Sequence, residues 1–412
     1  MEPASGQAAA ADGRPGVRIE RVVAGGSGLG HLPDGRVVLV EGALPGELVT
    51  VAVTRDRPRM AEGPVMSVLE PSPQRVPPPC GELERGCGGC DFQHVHPGAQ
   101  RDLKVMIVVD ALRRIAGRDL PVDPGPALDA EHYRTTLRAG VSGDRAGLRR
   151  RRSDQVVAVG SCLVAHPLLE QLLVEGRFPG ADEVVLRVGA RTGERMAVVS
   201  PSAGAVSLPS DVRVVGADEL AAGRRCWIHE EVAGHRLRIS ARSFFQARPD
   251  GAEALVDAVA RALGPVGSAH LVDLYGGVGL FSSALGAART TLVERSAAAV
   301  SDARVNLATL NANVVRVAVE RWRRSRADVV VADPPRQGLR AEGVAAVAAT
   351  GAERLALVSC DPAALARDVM LLEHSGFEAL WVELVDLFPH THHVEAVTAF
   401  ERVQRPSARG AT

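Results

Sequence analysis

The chain reads as a multidomain α/β protein: a small OB-like β-barrel at the N-terminus, a central α+β domain carrying a metal cluster, and a C-terminal Rossmann-like domain. Three observations predict this. Short strands split by turn signals crowd the first segment. Three of the six cysteines, Cys80, Cys87 and Cys90, fall within eleven residues. From Arg242 onward, short apolar strands alternate with helical stretches, and each strand closes on a polar residue. That is the pattern of a buried parallel sheet whose carboxyl edge carries a site.

With 412 residues, the chain exceeds one ordinary core. Its 46% hydrophobic and 24% charged residues mark a globular, soluble chain. No apolar run approaches the roughly 18 residues of a membrane span. Met1 to Arg14 lacks the basic start and apolar stretch of a secretory leader. It and Arg405 to Thr412 are expected to be disordered tails (1–15 and 405–412), and the expected location is the cytoplasm, as a monomer. A net charge of −1 excludes coating nucleic acid by bulk charge, so RNA contact must come from local patches. Lys104 is the only lysine. A GC-rich genome explains that bias, and no function is drawn from it.

The barrel is expected over 16–70. Asp34-Gly35 lies between short strands, a hairpin signature. Pro45-Gly46 marks a second turn before Leu48 to Val53. Five strands in about 55 residues suit a small barrel. A proline-rich linker, Pro71 to Pro79, opens the central domain, expected over 71–238. The cysteine crowding in a chain without an export signal reads as metal binding rather than disulfides. Arg101 to Ile115 reads as an amphipathic helix with Leu103, Ile107, Val108, Leu112 and Ile115 on one face. The helical segment, about 96–126, is expected to pack on the catalytic domain. Tyr133 to Ile239 is mostly strand.

The C-terminal domain is expected over 239–404. Asp273-Leu274-Tyr275-Gly276-Gly277-Val278-Gly279 ends one strand and opens a helix, where glycines let a ligand approach the backbone. Glu294 ends the next strand, 21 residues after Asp273. A carboxylate there can accept from both ribose hydroxyls. A nicotinamide site prefers a third glycine where this chain has Ser282, so an adenosylmethionine site fits better.

Asp333-Pro334-Pro335-Arg336 places a carboxylate beside cofactor and target base. Amino-group methyltransferases carry an aromatic residue after the prolines and RNA cytosine-5 methyltransferases a cysteine; Arg336 disfavours both. Cys360 ends a further strand in Ser359-Cys360-Asp361-Pro362. A thiol there can add to carbon 6 of a pyrimidine and make carbon 5 nucleophilic toward a methyl donor. A base must then take the carbon-5 proton. Glu395, in Phe388-Pro389-His390-Thr391-His392-His393-Val394-Glu395, suits that task better than a histidine metal site, since His392 and His393 cannot share one direction on a strand.

These motifs together resemble the RNA uridine-5 methyltransferase family, specifically its iron–sulfur branch with an N-terminal TRAM domain. The likeness runs from about Gly16 to Val403. Gly26 to Glu47 looks like the TRAM barrel, Cys87-Gly88-Gly89-Cys90-Asp91-Phe92-Gln93-His94 like the cluster motif, and Phe244-Phe245-Gln246 like the F-Q cofactor motif. The D-P-P-R-x-G-L, S-C-D-P and F-P-x-T-x-H-x-E motifs follow in order. The resemblance implies a class I methyltransferase domain using S-adenosylmethionine, with Gln246, Tyr275, Glu294 and Asp333 at the cofactor. Cys360 would be the nucleophile and Glu395 the base. Two departures stand out: Gly276 where the family has cysteine, and one extra residue between Cys80 and Cys87.

Cys162, in Val159-Gly160-Ser161-Cys162-Leu163, resembles the family's fourth cluster ligand. Four thiolates suit zinc or an iron–sulfur cluster; the resemblance favours a structural [4Fe-4S] cluster. Cys226 is left for the core. Arg149 to Arg152, and Arg321 to Arg326 around Trp322, are candidate RNA patches against the ordinary reading of solvated faces. The expected substrate is ribosomal RNA, with transfer RNA as the alternative. Two other readings compete: cytosine-5 methylation of RNA, and a non-catalytic RNA-binding protein.

Overall fold

The computed structural model describes residues 16–403; the tails expected at 1–15 and 405–412 lie outside the described residues. The first sheet is built from β1 (Val17–Val22), β2 (Gly28–His31), β3 (Val37–Glu41), β4 (Leu48–Val51), β5 (Arg55–Arg57) and β6 (Met60–Glu70). Five of these run in the order β3-β2-β1-β4-β6, and a further β3–β6 pairing closes them into a barrel. β5 is a short arm on β6. The alternation of β3 turns Val38 and Val40 inward, where Val17, Ile19, Val49 and Ala61 meet them. The Asp34-Gly35 hairpin forms, with Gly35 at φ +84°. Gly63 lets β6 cross closely under its neighbour: a Cβ there would lie 2.1 Å from the Ala52 carbonyl oxygen.

Helix α1 (Pro97–Ala111) starts four residues before the expected Arg101, because His96 caps it by accepting from Gly98 N–H at 3.2 Å and Pro97 occupies the first turn. It ends in a π-turn, Leu112–Ala116. Leu103, Ile107, Val108 and Leu112 are buried as expected, but Ile115 is exposed. The wider π-turn rotates it off the apolar stripe. One face of α1 packs on the barrel through Leu103 and Ile107, against Val22, Leu44 and Phe92. The other sends Val108, Ala111 and Leu112 into the core of the C-terminal sheet. A two-residue strand, β7 (Val122–Asp123), joins the edge of that sheet.

The central sheet contains β8 (Thr136–Ser142), β9 (Arg145–Arg149) and β10 (Val156–Ala158), then, after α2 (Pro167–Glu175), β11 (Glu183–Val188), β12 (Arg195–Ser200) and β13 (Arg213–Gly216). Its order is β10-β9-β8-β11-β12-β13. Helix α2 buries Leu169, Leu172 and Leu173 against it, and Cys162 lies in the same core. The short α3 (Ala217–Ala221) follows. The hairpin β14 (Trp227–Val232) and β15 (His235–Ser240) shares its core with α4 (Pro249–Leu263) and the C-terminal sheet.

That last sheet alternates strand and helix: β16 (His270–Leu274), α5 (Leu280–Ala284), β17 (Arg289–Glu294), α6 (Ala297–Asn306), β18 (Ala312–Arg316), β19 (Val329–Ala332), α7 (Arg340–Ala349), β20 (Arg354–Ser359), α8 (Pro362–His374), β21 (Phe377–Leu384) and β22 (Ala396–Arg402). The order is β18-β17-β16-β19-β20-β22-β21-β7, with β16 to β20 parallel and β22 antiparallel. Every residue of β16 and β19 is buried, which is why β19 reads as a continuous apolar run and β16 as apolar residues around Asp273. The chain leaves β16 in one direction and returns through β19 in the other. That reversal opens a crevice at the carboxyl ends of the two strands. Among the described residues, no helix is long and apolar enough to cross a membrane.

Candidate active site

The crevice gathers the residues singled out by sequence. Asp273 lies in β16, and Tyr275, Gly276 and Gly277 follow its end, with Tyr275 at φ +60° and Gly277 at φ +53°. Asp273 is fully buried. Its Oδ2 accepts from the Ser282 hydroxyl at 2.6 Å and backbone at 3.2 Å, while Oδ1 has no partner. Glu294 closes β17; its carboxylate accepts from Gly277 N–H at 3.2 Å and Ser296 N–H at 2.6 Å. Gln246 is buried in the turn before α4, and its amide makes no hydrogen bond among the described residues. The spare Oδ1 of Asp273 beside the glycine turn is an acceptor that a polar ligand can use. A Cβ at Gly276 would lie 2.6 Å from Leu292 Cγ, so Leu292 fills the space that a cysteine at this position would claim.

Asp333 follows β19, and its backbone N–H donates to the Leu274 carbonyl at 3.2 Å, tying the two strand ends together. Burial, and then Asp273 beside it, push the Asp333 carboxyl up to about 7. Burial likewise pushes Asp273 up to about 7, against the Ser282 hydrogen bonds.

Cys360 is the first residue beyond β20. It is held there because Asp361 caps α8, accepting from Ala364 N–H at 2.7 Å, with Pro362 in the first turn. The thiol is half-buried. Burial pushes it up to about 12, Glu395 and Asp333 push the same way, and Arg336 opposes them. Glu395 is buried just before β22, and its carboxyl is held well above the usual range by burial and Asp333, with Arg336 again opposing. Cys360, Glu395, Asp333 and Arg336 therefore lie within electrostatic reach of one another.

The loop carrying Glu395 is fastened by residues whose role the sequence did not reveal. Lys104 Nζ donates to Asp386 Oδ1 at 2.6 Å and to the Phe388 carbonyl at 3.0 Å. Gln100 Oε1 accepts from His390 N–H at 2.6 Å. His392 Nδ1 meets Asp91 Oδ2 at 2.5 Å, and the Tyr133 hydroxyl donates to the Pro389 carbonyl at 3.0 Å. These bonds make His392 a loop fastener, its Nδ1 spent on Asp91, and hold the loop at His390 through its backbone. A lone lysine among arginines was the one available signal, and composition explained it away.

Four cysteines also approach one another. Cys162 and Cys87 act on Cys90, which burial pushes up to about 12; Cys80 acts on Cys87, and Cys87 on Cys162. Among the described residues, no group of three or more His, Cys, Asp or Glu side chains stands in metal-holding geometry. Cys226 is half-buried beside Arg213 and Arg224 rather than in the core. Of the first arginine run, Arg151 and Arg152 pair with Glu41 of the barrel, Arg151 at 3.2 Å, and so join the barrel to the central domain. Trp322 is mostly buried in the core of the C-terminal sheet and is not an open stacking face.

A doubly wound sheet with an acid-flanked glycine turn at its switch point defines an adenosylmethionine-dependent methyltransferase of class I. The TRAM domain family matches residues 16–66, and the tRNA (Uracil-5-)-methyltransferase family matches residues 316–403. The chain is 35% identical to an uncharacterized RNA methyltransferase of Streptomyces avermitilis, over 96% of this chain and 98% of that protein. It is 33% identical to the 23S rRNA (uracil(1939)-C(5))-methyltransferase RlmD of Chromohalobacter salexigens, over 94% of this chain and 89% of that protein. Its fold resembles the Pyrococcus abyssi tRNA (uracil-54, C5)-methyltransferase solved with S-adenosyl-L-homocysteine, with a TM-score of 0.69, 23% identity, and coverage of 93% of this chain and 99% of that one. The chain belongs to the TRAM-containing RNA uracil-C5 methyltransferase family, whose members use S-adenosylmethionine.

Proposed function

We propose that this enzyme methylates carbon 5 of a uridine in 23S ribosomal RNA through a covalent adduct between Cys360 and carbon 6 of the uracil. The observation that carries the reading is the convergence of Cys360, Glu395 and Asp333 at one crevice. S-adenosylmethionine, when bound, supplies the methyl group. Gln246, Tyr275, Glu294 and Asp333 hold it, and Asp333 also faces the uracil. The Cys360 thiol is neutral in the resting site, so its proton passes to solvent water as sulfur bonds to carbon 6. Carbon 5 then carries the electron pair that takes the methyl. Glu395 removes the carbon-5 proton, the carbon 5–carbon 6 double bond re-forms, and the sulfur leaves with the electrons of its bond. The uridine is drawn out of its stack so that the thiol can reach the ring face.

In this reading the barrel, 16–70, and the central segment, 71–238, present RNA to the catalytic segment, 239–404, with the helical stretch 96–126 joining them. Cys80, Cys87, Cys90 and Cys162 hold a [4Fe-4S] cluster as a structural cross-link, with zinc as the alternative occupant. Burial raises the Cys87, Cys90 and Cys162 thiols, and a bound cation would offset this by stabilising their thiolates. The enzyme acts as a cytoplasmic monomer.

The RlmD relative favours ribosomal RNA. The family match over 316–403 favours transfer RNA as second reading. The test is methylation of each RNA, made without 5-methyluridine, with labelled adenosylmethionine and nucleoside mapping. Label in 5-methyluridine of ribosomal RNA alone supports the first reading; label in transfer RNA alone transfers the assignment; label in neither overturns both.

A further inference from the structure

A second basic site runs along the sheet from the crevice toward the amino ends of the strands. A cleft of about 610 Å³ opens on the face of β16, β17 and β18, roofed by the chain that returns from β18 to β19. Its walls carry Arg289, Arg321, Arg323, His270 and Ser325 beside the apolar Val315, Val317 and Trp322, and no carboxylate lines it. Arg321 and Arg323 are exposed and make no ion pair among the described residues. The Ser325 hydroxyl oxygen is buried without a partner. Arg289 Nη2 lies 2.7 Å from His270 Nδ1. A guanidinium only donates, so Nδ1 accepts and the ring proton sits on Nε2, which reaches Thr291 Oγ1 at 2.9 Å. His270 is thus a neutral strut that fixes Arg289, and adds no charge. The surrounding chain is strongly biased: positions 289–326 hold eight arginines against three carboxylates, in a chain of net charge −1.

His270 and Arg289 open β16 and β17, whereas Glu294 closes β17. Five residues of strand put the Arg289 end of the cleft about 17 Å from the cofactor edge, while Val317, at its other end, donates its backbone N–H to the Glu294 carbonyl at 3.0 Å. A free uridine held at Cys360 does not reach the Arg289 end; a longer RNA does. Uncompensated guanidiniums, hydroxyl donors and absent carboxylates match phosphodiester oxygens.

We propose that this cleft is a second docking site for the phosphate backbone of the RNA substrate, engaging a segment remote from the target uridine. It rests on the reading of the chain as an enzyme acting on a long RNA.

The test is equilibrium binding of a 23S rRNA transcript to the full-length protein across a salt titration, with Arg321→Ala/Arg323→Ala and Arg321→Lys/Arg323→Lys beside it. Removing two phosphate contacts should weaken binding roughly tenfold at low salt and make the log–log salt slope shallower by about 1.4. The lysine pair should keep the slope. Adenosylmethionine affinity and thermal midpoint should not change. Trimming the transcript to the methylated hairpin should erase the difference between wild type and variant. Equal affinity and slope in wild type and alanine pair overturn the proposal, while methylation by both would leave the proposed reaction standing. A slope difference in a wild type that methylates no RNA sinks the reaction and keeps the site.

Discussion

Lys104 Nζ stands 2.6 Å from Asp386 Oδ1, and both side chains are cut off from solvent. The pair joins α1 to the loop that delivers Glu395, across 282 positions of sequence. Here an ammonium fits where a planar guanidinium would overfill a closed space. Burial lowers the lysine's proton affinity and Asp386 restores part of it.

Breaking the pair should therefore cost more than an exposed contact. Lys104→Met leaves Asp386 charged and unpaired, a loss of about 3–5 kcal/mol in urea unfolding. Lys104→Met/Asp386→Leu should recover much of it. The single variant should also lower kcat more than KM, because the loop moves and the RNA surface does not. A Lys104→Met protein as stable and as fast as wild type would refute the clamp.

The proposed chemistry separates its two residues. Cys360→Ala should abolish methylation by at least about a thousandfold and form no adduct. Glu395→Gln should allow attack and methyl transfer but stall release, so a protein–RNA band should survive denaturing gel electrophoresis. An adduct in Cys360→Ala, or none with any Glu395 variant, counts against the assigned roles.

Asp273 and Asp333 give a pH signature. Both are raised to about 7 in the folded protein, against about 4 in the unfolded chain. The folded state thus keeps protons that the unfolded state releases. Stability from these groups is full below about pH 4 and is lost as pH rises to about 7. The ligand-free protein should melt at progressively lower temperature from about pH 5 to 8, and Asp273→Asn should flatten that trend. The sulfonium cation favours the deprotonated pair, so adenosylmethionine should bind more tightly as pH rises through this range, with proton release visible by calorimetry in buffers of different ionisation enthalpy. Binding independent of pH would contradict it.

The cysteines make a further prediction. Protein prepared without oxygen should carry iron and inorganic sulfide, and Cys162→Ala, in the core beside α2, should lose both and melt earlier. Zinc at one atom per chain, without sulfide, would replace the cluster with the alternative. Asp91 follows Cys90 and bonds His392, so loss of the cluster should also loosen the Glu395 loop and reduce kcat.

Much was legible in sequence because the signals were local. A parallel strand buried on both faces is mostly apolar, so β16, β19 and β20 showed themselves, and the polar residues at or just beyond their ends marked the edge where Asp273, Asp333 and Cys360 lie. Glycine turns and the Asp34-Gly35 hairpin obey backbone rules that need no partner. The helix start at Pro97 and the exposure of Ile115 escaped because a cap and a π-turn are decided by hydrogen bonds rather than by apolar spacing.

The sequence by itself determined the class of fold, the order of strands and helices, and which residue types reach the carboxyl edge, since periodicity and turn chemistry act over a few neighbours. Only the tertiary structure decided which distant groups meet: Lys104 with Asp386, Asp91 with His392, Arg151 with Glu41, and the arginines around Ser325. It also decided which charges are free and which are spent on holding domains together. Ion pairing and burial depend on contacts between residues far apart in the chain, and no local pattern carries that information.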